Sequence, residues 1–267
     1  MGLKYKLFAI DMDGTLLDSK SDLVEPNISA LRRYKEEGGI VVLNSGRMAA
    51  AIKSYYDQLG FRGPLIACNG ALIMDEAGDI FYRRPLPAEK AQKVVDVICE
   101  RGWLANYYIE GELFNPDPTA PLSQLYVRRT SSPMQAAPDL HIFDGREPEK
   151  ILILGNPDEI KQRYQEFSGL WGGEMYITIS EPEYVEFMHP LVSKGEALSE
   201  VARHYGVPFE ECACMGDNYN DLPMFRLCGF TLAPANSRET VLQQADARLA
   251  SNDEGAVAEA IEQYLMD

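Results

Sequence analysis

The chain has 267 residues, of which 46% are hydrophobic and 25% charged, and a formal net charge of −16. This length and composition are typical of a globular protein with one large domain or two moderate ones. The acidic charge argues against nucleic acid or an anionic membrane surface as the main partner. No stretch resembles a signal peptide or a transmembrane span, and five cysteines without framework spacing indicate free thiols. We therefore expect a cytoplasmic protein that binds neither nucleic acid nor membrane.

The first eighty residues alternate between short apolar runs and helical periodicity. Apolar runs predict buried strands, and apolar residues at intervals of three and four predict helices. A hairpin with a two-residue turn is expected at Asn69-Gly70, because Asn-Gly favours tight turns. The predicted strands are 7–10, 40–43, 65–68, 71–74 and 80–82, and the predicted helices are 26–37 and 48–59.

The pattern changes at Pro85 and Pro87. Strands and helices no longer alternate regularly, and loops are predicted over 115–121 and 131–138. We interpret this part as a separate α+β unit inserted into the first. Its predicted helices are 88–101 and 157–167, and its strand-like segments are 104–109, 125–129, 151–154, 175–179 and 184–188.

The alternating pattern resumes at Ser193, which has capping-box spacing with Glu196. Alternation of strands and helices predicts a parallel sheet. The expected fold class is α/β, with a Rossmann-like parallel-sheet core (residues 1–83 and 189–267) and an inserted α+β unit (84–188). The predicted helices of this last part are 193–205, 222–227, 237–244 and a final one from 255, and its strands are 211–215, 229–233 and 248–249.

Two carboxylates, Asp11 and Asp13, follow the first predicted strand. Like charges at the end of a buried strand repel each other and are costly to desolvate. A hard divalent cation such as Mg²⁺ would remove that conflict, because it prefers oxygen ligands. Ligands of open α/β sheets bind just outside the carboxyl ends of the strands, which is where this pair falls. The alternative is an acidic surface turn, and the pair alone does not decide between the two.

Three further polar positions suit the same site. Ser45-Gly46, before a predicted helix, offers a hydroxyl and backbone N–H groups to an anion, or is an ordinary N-cap. Lys194 is predicted in the first turn of a helix, where its positive charge opposes the helix dipole. A negative group nearby would explain this position, and the alternative is a lysine that is simply solvated. The segment 216–221, Gly-Asp-Asn-Tyr-Asn-Asp, contains two acids and two amides, more than a polar turn needs. Together, the four positions favour a functional site.

These residues resemble the motifs of the haloacid dehalogenase superfamily, specifically its Cof-type phosphatases. That group carries a large α/β cap inserted between its second and third motifs, where this chain has its inserted unit. The four motifs correspond in order to Asp11-Met-Asp13-Gly-Thr-Leu-Leu, Ser45-Gly46-Arg47, Lys194, and Gly216 to Asp221.

Two other segments are similar to the same group, Asn69-Gly70-Ala71 and the ending from Ala245-Asp246 to 252–255. Asn44 departs from the pattern, because a small residue is more usual before the hydroxyl. The resemblance covers the whole core, whereas the inserted unit agrees in position and size more than in detail.

The resemblance implies a role for each motif residue. Asp11 would be the nucleophile that forms an aspartyl-phosphate, and Asp13 the general acid and base. Mg²⁺ would be held by the Asp11 side chain, the Asp13 backbone carbonyl and Asp217. Asp221 would support the metal through water or orient Lys194. The other phosphoryl oxygens would be bound by Ser45, Lys194, Asn220 and the backbone N–H groups of Met12 and Gly46.

The resemblance implies a phosphatase that acts on a small phosphorylated metabolite. Sugar phosphates are the first expectation, with flavin mononucleotide or pyridoxal phosphate as further candidates. Asp13 favours ester hydrolysis, since a threonine there would suggest an ATPase-like phosphoenzyme and an apolar residue dehalogenation. The inserted unit is expected to close over the site and to discriminate between leaving groups. Its aromatic residues are candidates for substrate contact, although such residues more often belong to a core: Tyr107, Tyr108, Phe114 and Tyr126.

Three alternative functions match the sequence less well. A phosphomutase would share the phosphoenzyme, but the mutases of this superfamily usually carry a small helical cap. A non-catalytic phospholigand-binding module would predict the loss of Asp11, Asp13 or Lys194, and all three are present. A nucleotide-binding Rossmann protein would need a Gly-x-Gly-x-x-Gly run after its first strand, which this chain lacks. The sequence does not indicate an oligomeric state.

Overall fold

The computed structural model describes residues 2–266. The chain divides into two compact units, which we call the core unit and the cap unit. The core unit consists of the residues up to Tyr82 and those from Ser193 onward, and the cap unit is Arg83–Val192. Compared with the insertion expected at 84–188, the cap unit begins one residue earlier and ends four residues later. None of the helices within the described residues is long and apolar enough to cross a membrane.

The first part of the chain alternates strands and helices, as predicted, and then forms a hairpin. Its elements are β1 (Leu7–Asp11), α1 (Glu25–Glu36), β2 (Ile40–Asn44), α2 (Ala49–Leu59), β3 (Leu65–Ala67), β4 (Leu72–Met74) and β5 (Ile80–Arg83).

The cap unit is built from helices and mostly antiparallel strands. Its elements are α3 (Ala88–Arg101), β6 (Ala105–Ile109), β7 (Glu112–Asn115), α4 (Pro121–Thr130), β8 (Gln135–Ala136), β9 (Lys150–Leu154), α5 (Pro157–Trp171), β10 (Tyr176–Glu181) and β11 (Tyr184–Met188).

The last part returns to the core unit and to alternating elements. These are α6 (Lys194–Tyr205), β12 (Cys212–Met215), α7 (Leu222–Phe225), β13 (Phe230–Pro234), α8 (Glu239–Gln244), β14 (Ala247–Leu249) and α9 (Ala256–Ala260).

Within the described residues, the core unit has one eight-stranded sheet in the order β14-β13-β12-β1-β2-β3-β4-β5. The pairs from β14 to β3 are parallel, and β3 pairs antiparallel with β4. β1 lies in the middle of the sheet, and each of its residues from Leu7 to Ile10 is completely buried. A continuous apolar run is what such a doubly covered parallel strand requires. The predicted α/β class is therefore confirmed.

The cap sheet, as far as the chain is described, has the order β10-β11-β9-β6-β7-β8. Alternate residues on its strands, such as Tyr107, Ile151 and Phe187, pack with α3 and α5 in one apolar cluster. Side chains alternate between the two faces of a strand, so the intervening residues belong to the opposite face. Tyr107 and the partly buried Phe114 pack in this cluster. Of the two interpretations of these aromatic residues, substrate contact or core, the core therefore applies to both.

The strand predicted at 125–129 was wrong, because this segment belongs to helix α4. Its residues Leu-Tyr-Val suit a strand by composition. However, Pro121 stands at the start of the helix, where its missing N–H removes no hydrogen bond. The helix buries Ser123 and Tyr126, and a spacing of three shares one face in a helix but not in a strand.

The hairpin at 65–74 is present, but its turn is longer than the predicted two residues. β3 and β4 are joined by a 3₁₀ turn at Cys68–Gly70 and by Ala71. Cys68, Asn69 and Gly70 have positive φ angles of 50°, 57° and 108°, a region that Gly and Asn enter most readily. Smaller differences occur elsewhere: β7 was not predicted, the predicted loop 131–138 contains β8, and α9 continues into a π-helical turn at Ile261–Leu265.

Candidate active site

The ends of neighbouring strands bring the predicted site residues together in the core unit. β12, β1 and β2 are adjacent and parallel, so their carboxyl ends lie at one edge of the sheet. Asp11 is the last residue of β1, Ser45 follows β2, and Asp217 comes two residues after β12. Lys194 reaches the same place from the first turn of α6.

The Lys194 side chain is buried between two carboxylates. Its Nζ donates to Asp11 Oδ1 and to Asp221 Oδ1, the latter at 2.6 Å. Burial alone would lower the pKa of this lysine, but the charges and hydrogen bonds of the two acids raise it overall. The ammonium therefore stays charged, and its position at a helix N-terminus is explained by the negative groups beside it.

Asp11 is buried and only partly satisfied. One carboxylate oxygen accepts the hydrogen bond from Lys194, whereas the other, Oδ2, is buried without a hydrogen-bond partner. Burial is the main cause that raises the pKa of Asp11 well above its ordinary value. The charge of Lys194 opposes this rise, while the charges of Asp221 and Asp217 add to it. An unpartnered oxygen at such a position is available to a ligand or a reacting atom.

Asp217 faces the loop that follows β1. Thr15 Oγ1 donates to Asp217 Oδ1 at 3.4 Å. Gly14 has a φ of +84°, and a Cβ at this residue would lie 2.7 Å from Asp217 Oδ2, so both the backbone conformation and the close approach require glycine. Burial and the charge of Asp221 raise the pKa of Asp217 to about 6.

Asp221 organises the loop after β12. Its Oδ1 accepts from Lys194, and its Oδ2 accepts from the backbone N–H groups of Asp217 and Asn218, both at 3.0 Å. Of the two roles left open for Asp221, orienting Lys194 is the one for which the structure supplies a hydrogen bond. The same carboxylate also holds the loop that carries Asp217.

Asp11, Asp217 and Asp221 form a group that could hold a metal ion. Each offers a carboxylate oxygen, and these oxygens lie within 4.8 Å of one another. Carboxylate oxygens are hard ligands, which suit Mg²⁺ better than soft transition metals. Since Asp221 already accepts three hydrogen bonds, Asp11 and Asp217 are the residues with capacity left, and Asp11 Oδ2 has no other partner. The residues present therefore fit a hard divalent cation.

Asp13 is held by Arg47, a residue to which the sequence analysis gave no role. The Arg47 guanidinium makes a bidentate pair with Asp13, with Nε to Oδ2 at 2.9 Å and Nη2 to Oδ1 at 2.6 Å. Arg47 is 6% exposed, and its Nη1 donates to the Tyr55 hydroxyl at 3.1 Å. Burial alone would lower the pKa of Arg47, but Asp13 raises it overall, so the guanidinium stays charged. This pair fixes the direction of a carboxylate that is itself half exposed.

Ser45 is buried but does not cap a helix. α2 begins at Ala49 with Met48 as its N-cap, and Ser45 Oγ instead accepts from the Arg47 backbone N–H at 3.1 Å. The preceding Asn44, which departs from the family pattern, donates from Nδ2 to the Lys194 carbonyl at 3.2 Å. Asn44 thus ties the end of β2 to the start of α6. The sequence signal that could have indicated this role is a polar residue placed directly after the apolar run 40–43.

Asn220 lies against a residue from the hairpin turn. Its Nδ2 donates to Asn69 Oδ1 at 3.1 Å. A Cβ at Gly46 would lie 3.2 Å from the same Asn69 oxygen, so the Ser45-Gly46 segment passes close to this side chain. Asn69 therefore joins the predicted phosphate-binding residues Gly46 and Asn220, although the sequence indicated it only as a turn residue and a point of resemblance.

Two asparagines near the end of the chain support the loop that follows β1. Asn236 Nδ2 donates to the Gly14 carbonyl, and Asn252 Nδ2 donates to the Leu17 carbonyl, both at 2.8 Å. Asn236 Oδ1 in turn accepts from the Asn252 backbone N–H at 3.0 Å. These bonds hold the loop between Asp13 and the next helix, which explains why the segment from Asn252 belongs to the resemblance.

Comparison with known proteins places these residues in a family context. The sequence pattern of the haloacid dehalogenase-like hydrolases matches residues 8–261 of the chain. Phosphatase YwpJ of Bacillus subtilis (strain 168) is 28% identical over 97% of this chain and 100% of its own. The 5-amino-6-(5-phospho-D-ribitylamino)uracil phosphatase YwtE of the same organism is also 28% identical, over 97% of this chain and 98% of its own.

A solved structure agrees over the same length. A haloacid dehalogenase-like hydrolase from Bacteroides thetaiotaomicron is similar to this chain with a TM-score of 0.90 and 29% sequence identity. The similarity covers 97% of this chain and 99% of that one, so it includes both the core unit and the cap unit.

Proposed function

Because the chain belongs to the haloacid dehalogenase-like hydrolases and is similar to named phosphatases, we propose that it is a Mg²⁺-dependent phosphatase. It hydrolyses small phosphate monoesters, sugar phosphates foremost, through an aspartyl-phosphate on Asp11. The observation that carries this proposal is the state of Asp11 at the end of β1. It is a buried carboxylate with one oxygen bound to Lys194 and the other without a partner.

Asp11 is suited to act as the nucleophile. Lys194 orients the carboxylate and partly neutralises its charge, which favours the ionised form that attacks phosphorus. Attack forms the bond between an Asp11 oxygen and phosphorus and breaks the bond between phosphorus and the alcohol oxygen. Water then hydrolyses the aspartyl-phosphate and restores Asp11.

Asp13 is suited to move the protons in both steps. It would give a proton to the leaving alcohol oxygen and later take one from the attacking water. The bidentate pair with Arg47 keeps its carboxylate in one place, so Arg47 acts as a positioning residue. A second acid at this position favours the hydrolysis of phosphate esters over the other reactions of the superfamily.

The remaining groups would bind the phosphoryl oxygens. We assign this role to Ser45, Lys194, Asn220 and the backbone N–H groups of Met12 and Gly46. Phosphoryl transfer depends mostly on positioning and charge stabilisation.

The metal would be held by Asp11, Asp217 and the Asp13 backbone carbonyl. Members of this family generally depend on a metal, and the carboxylate group at the ends of β1 and β12 suits Mg²⁺. When bound, the ion supplies positive charge that lessens the repulsion between the carboxylates and a phosphate dianion. Asp221 supports this arrangement by holding the loop of Asp217.

The substrate is proposed as a small phosphorylated metabolite in the cytoplasm. The name of YwtE specifies a phosphate on a ribityl chain, which is a polyhydroxylated alcohol. We extend that chemical class, and not that compound, to this protein. Flavin mononucleotide and pyridoxal phosphate are the next candidates.

The test is a screen of phosphate esters, with released phosphate measured in the presence of Mg²⁺ and in the presence of EDTA. We expect metal-dependent release, and Asp11→Asn should lower it about 10³-fold or more, because a nucleophile acts as part of a unit. Asp57→Asn is the matched control, since Asp57 is an exposed carboxylate that pairs with the exposed Arg62. Full activity in a folded Asp11→Asn protein would exclude the nucleophile role. An isomeric sugar phosphate formed without phosphate release would favour a phosphomutase.

A further inference from the structure

Three side chains of the cap unit that the proposed mechanism does not use lie close together. Cys99 belongs to the last turn of α3. Asp139 is the N-cap residue of a 3₁₀ turn at Leu140–Phe143, and His141 is the second residue of that turn. The Cys99 sulfur, one carboxylate oxygen of Asp139 and one ring nitrogen of His141 all lie within 4.8 Å of one another. Thiolate, carboxylate and imidazole are the three kinds of side-chain ligand that zinc takes in proteins.

Apolar packing fixes the two elements that carry these side chains. Leu140, which stands between Asp139 and His141, is completely buried in the apolar cluster that also contains Ile98 of α3. Cys99, the neighbour of Ile98, is partly buried against the same cluster. The 3₁₀ turn is therefore held against the end of α3. Ligands on elements that are held in this way need little rearrangement to bind a metal.

Hydrogen bonds orient the two exposed side chains. Asp139 Oδ1 accepts from the His141 backbone N–H at 2.9 Å, which joins the two residues and leaves Asp139 Oδ2 for another partner. His141 Nδ1 lies 3.1 Å from Asp144 Oδ1. Histidines that bind metals usually have one ring N–H on a carboxylate, and the other ring nitrogen then keeps a lone pair for the metal.

The charges around Cys99 favour a cation. Burial raises the pKa of the Cys99 thiol, and the charges of Asp139, Asp96 and Asp144 raise it further, whereas a hydrogen bond from the Leu140 backbone N–H opposes the rise. The thiol thus lies near three carboxylates, which keep it protonated. A divalent cation bound to the sulfur would replace the thiol proton and offset the negative charge around it.

The set of ligands selects the metal. A thiolate is a soft ligand that suits Zn²⁺ and not Mg²⁺, which prefers oxygen. In a tetrahedral zinc site with ordinary bond lengths, the ligand atoms lie about 3.4–3.6 Å apart. Asp139 and His141 are exposed, so rotation of their side chains can bring the three atoms to these separations. Three protein ligands leave the fourth position to water.

We propose that Cys99, Asp139 and His141 bind a zinc ion that joins the end of α3 to the 3₁₀ turn at Leu140–Phe143. The ion holds in place the segment between β8 and β9, which contains this turn. The site differs in chemistry from the proposed Mg²⁺ site, whose ligands are all oxygens. The inference does not depend on the proposed phosphatase function.

Titration with Co²⁺ tests the site. Co²⁺ accepts the same kinds of ligand as Zn²⁺, and a thiolate bound to it gives a charge-transfer band in the near ultraviolet. The full-length protein is titrated at pH 8 with excess Mg²⁺, which occupies sites made of oxygens. We expect one equivalent of Co²⁺ to produce the band in wild type, and Zn²⁺ to abolish it by displacing Co²⁺. The band should be absent in Cys99→Ser and present in Cys228→Ser, the matched control, since Cys228 is also partly exposed.

Two further variants test the other ligands. His141→Gln and Asp139→Asn should each weaken Zn²⁺ binding at least about tenfold, measured by the displacement of Co²⁺, because the loss of a ligand should cost no less than the loss of a group that orients one.

A second measurement needs no variant. Wild-type protein is treated with iodoacetamide in EDTA and in Zn²⁺, and mass spectrometry follows the labelling of Cys99 and Cys228. We expect Zn²⁺ to slow the labelling of Cys99 about tenfold or more, because a thiolate bound to metal is not free to react. The labelling of Cys228 should stay unchanged.

Several results would overturn the inference: no charge-transfer band in wild type, a band that persists in Cys99→Ser, or equal protection of both cysteines by Zn²⁺. Full Zn²⁺ affinity in both His141→Gln and Asp139→Asn would also overturn it, and would indicate only an adventitious ion on a partly exposed thiol. Neither measurement uses phosphatase activity, so these results leave the proposed function as it stands.

Discussion

Replacing Lys194 with methionine tests the electrostatics of the site in the metal-free protein. Methionine keeps an unbranched side chain of similar length but removes the charge that Asp11 and Asp221 share. Breaking a buried ion pair by removing one partner costs about 3–5 kcal/mol of unfolding free energy. At about 2–4 °C per kcal/mol for a chain of this size, the Tm at pH 8 in EDTA should fall by roughly 6–20 °C.

The loss of stability should shrink as the pH falls. Burial raises the pKa of Asp11 well above its ordinary value while Lys194 opposes the rise, so removing the lysine raises the pKa further. A carboxyl with a higher pKa in the folded than in the unfolded protein binds its proton more tightly when folded, so folding gains stability at low pH. Each pH unit below the raised pKa recovers about 1.4 kcal/mol per proton. The loss should therefore be smaller at pH 5 than at pH 8.

Thermal melting of wild type and Lys194→Met at pH 8 and pH 5, both in EDTA, measures this difference. Lys6→Met is the control, because Lys6 also contacts an acid, Glu211, at 2.7 Å, but its side chain is 62% exposed. The control should lose less than about 1 kcal/mol at either pH. An equal loss for Lys194→Met at both pH values would refute the argument from buried charge and indicate lost packing instead.

Three further outcomes are expected. Asp13→Asn should slow alkyl phosphate hydrolysis about 10²–10⁴-fold and aryl phosphate hydrolysis less, since aryl leaving groups need little protonation; equal losses would count against the acid role. A variant with a short linker in place of Arg83–Val192 should keep weak aryl phosphatase activity, provided that circular dichroism shows it to be folded. It should no longer rank natural phosphate esters by rate as the full-length protein does. An unchanged ranking would mean that the cap does not set specificity. Burial raises the pKa of Cys212 to about 12, so its thiol is neutral at pH 7.5. Mass spectrometry after iodoacetamide treatment should therefore find the partly exposed Cys99 and Cys228 modified first. Equally fast labelling of Cys212 would contradict its burial.

Much of the fold could be predicted because its signals are local. The run from Leu7 to Ile10 is apolar without interruption, as a strand that is covered on both faces requires. The strand prediction at 125–129 also rested on local composition, and there it was wrong. Its composition suits a strand, whereas the position of Pro121 and the packing of Tyr126 favour a helix.

The candidate site could be predicted in part. Asp11, Asp217 and Lys194 were recognisable because charged residues after apolar strands or in a first helical turn are costly unless they meet a partner. Their residue types and order along the chain were enough to predict that they belong together.

The sequence by itself determined which residues are candidates for the chemistry and that most of them follow strands or begin helices. Only the tertiary structure decided how those residues are held: Arg47 pairs with Asp13, 34 positions away, and Asn220 with Asn69, 151 positions away. It also decided that Asp11 Oδ2 lacks a partner. Such pairings depend on strand order and side-chain direction, which arise from packing between distant segments and leave no periodic trace in the sequence.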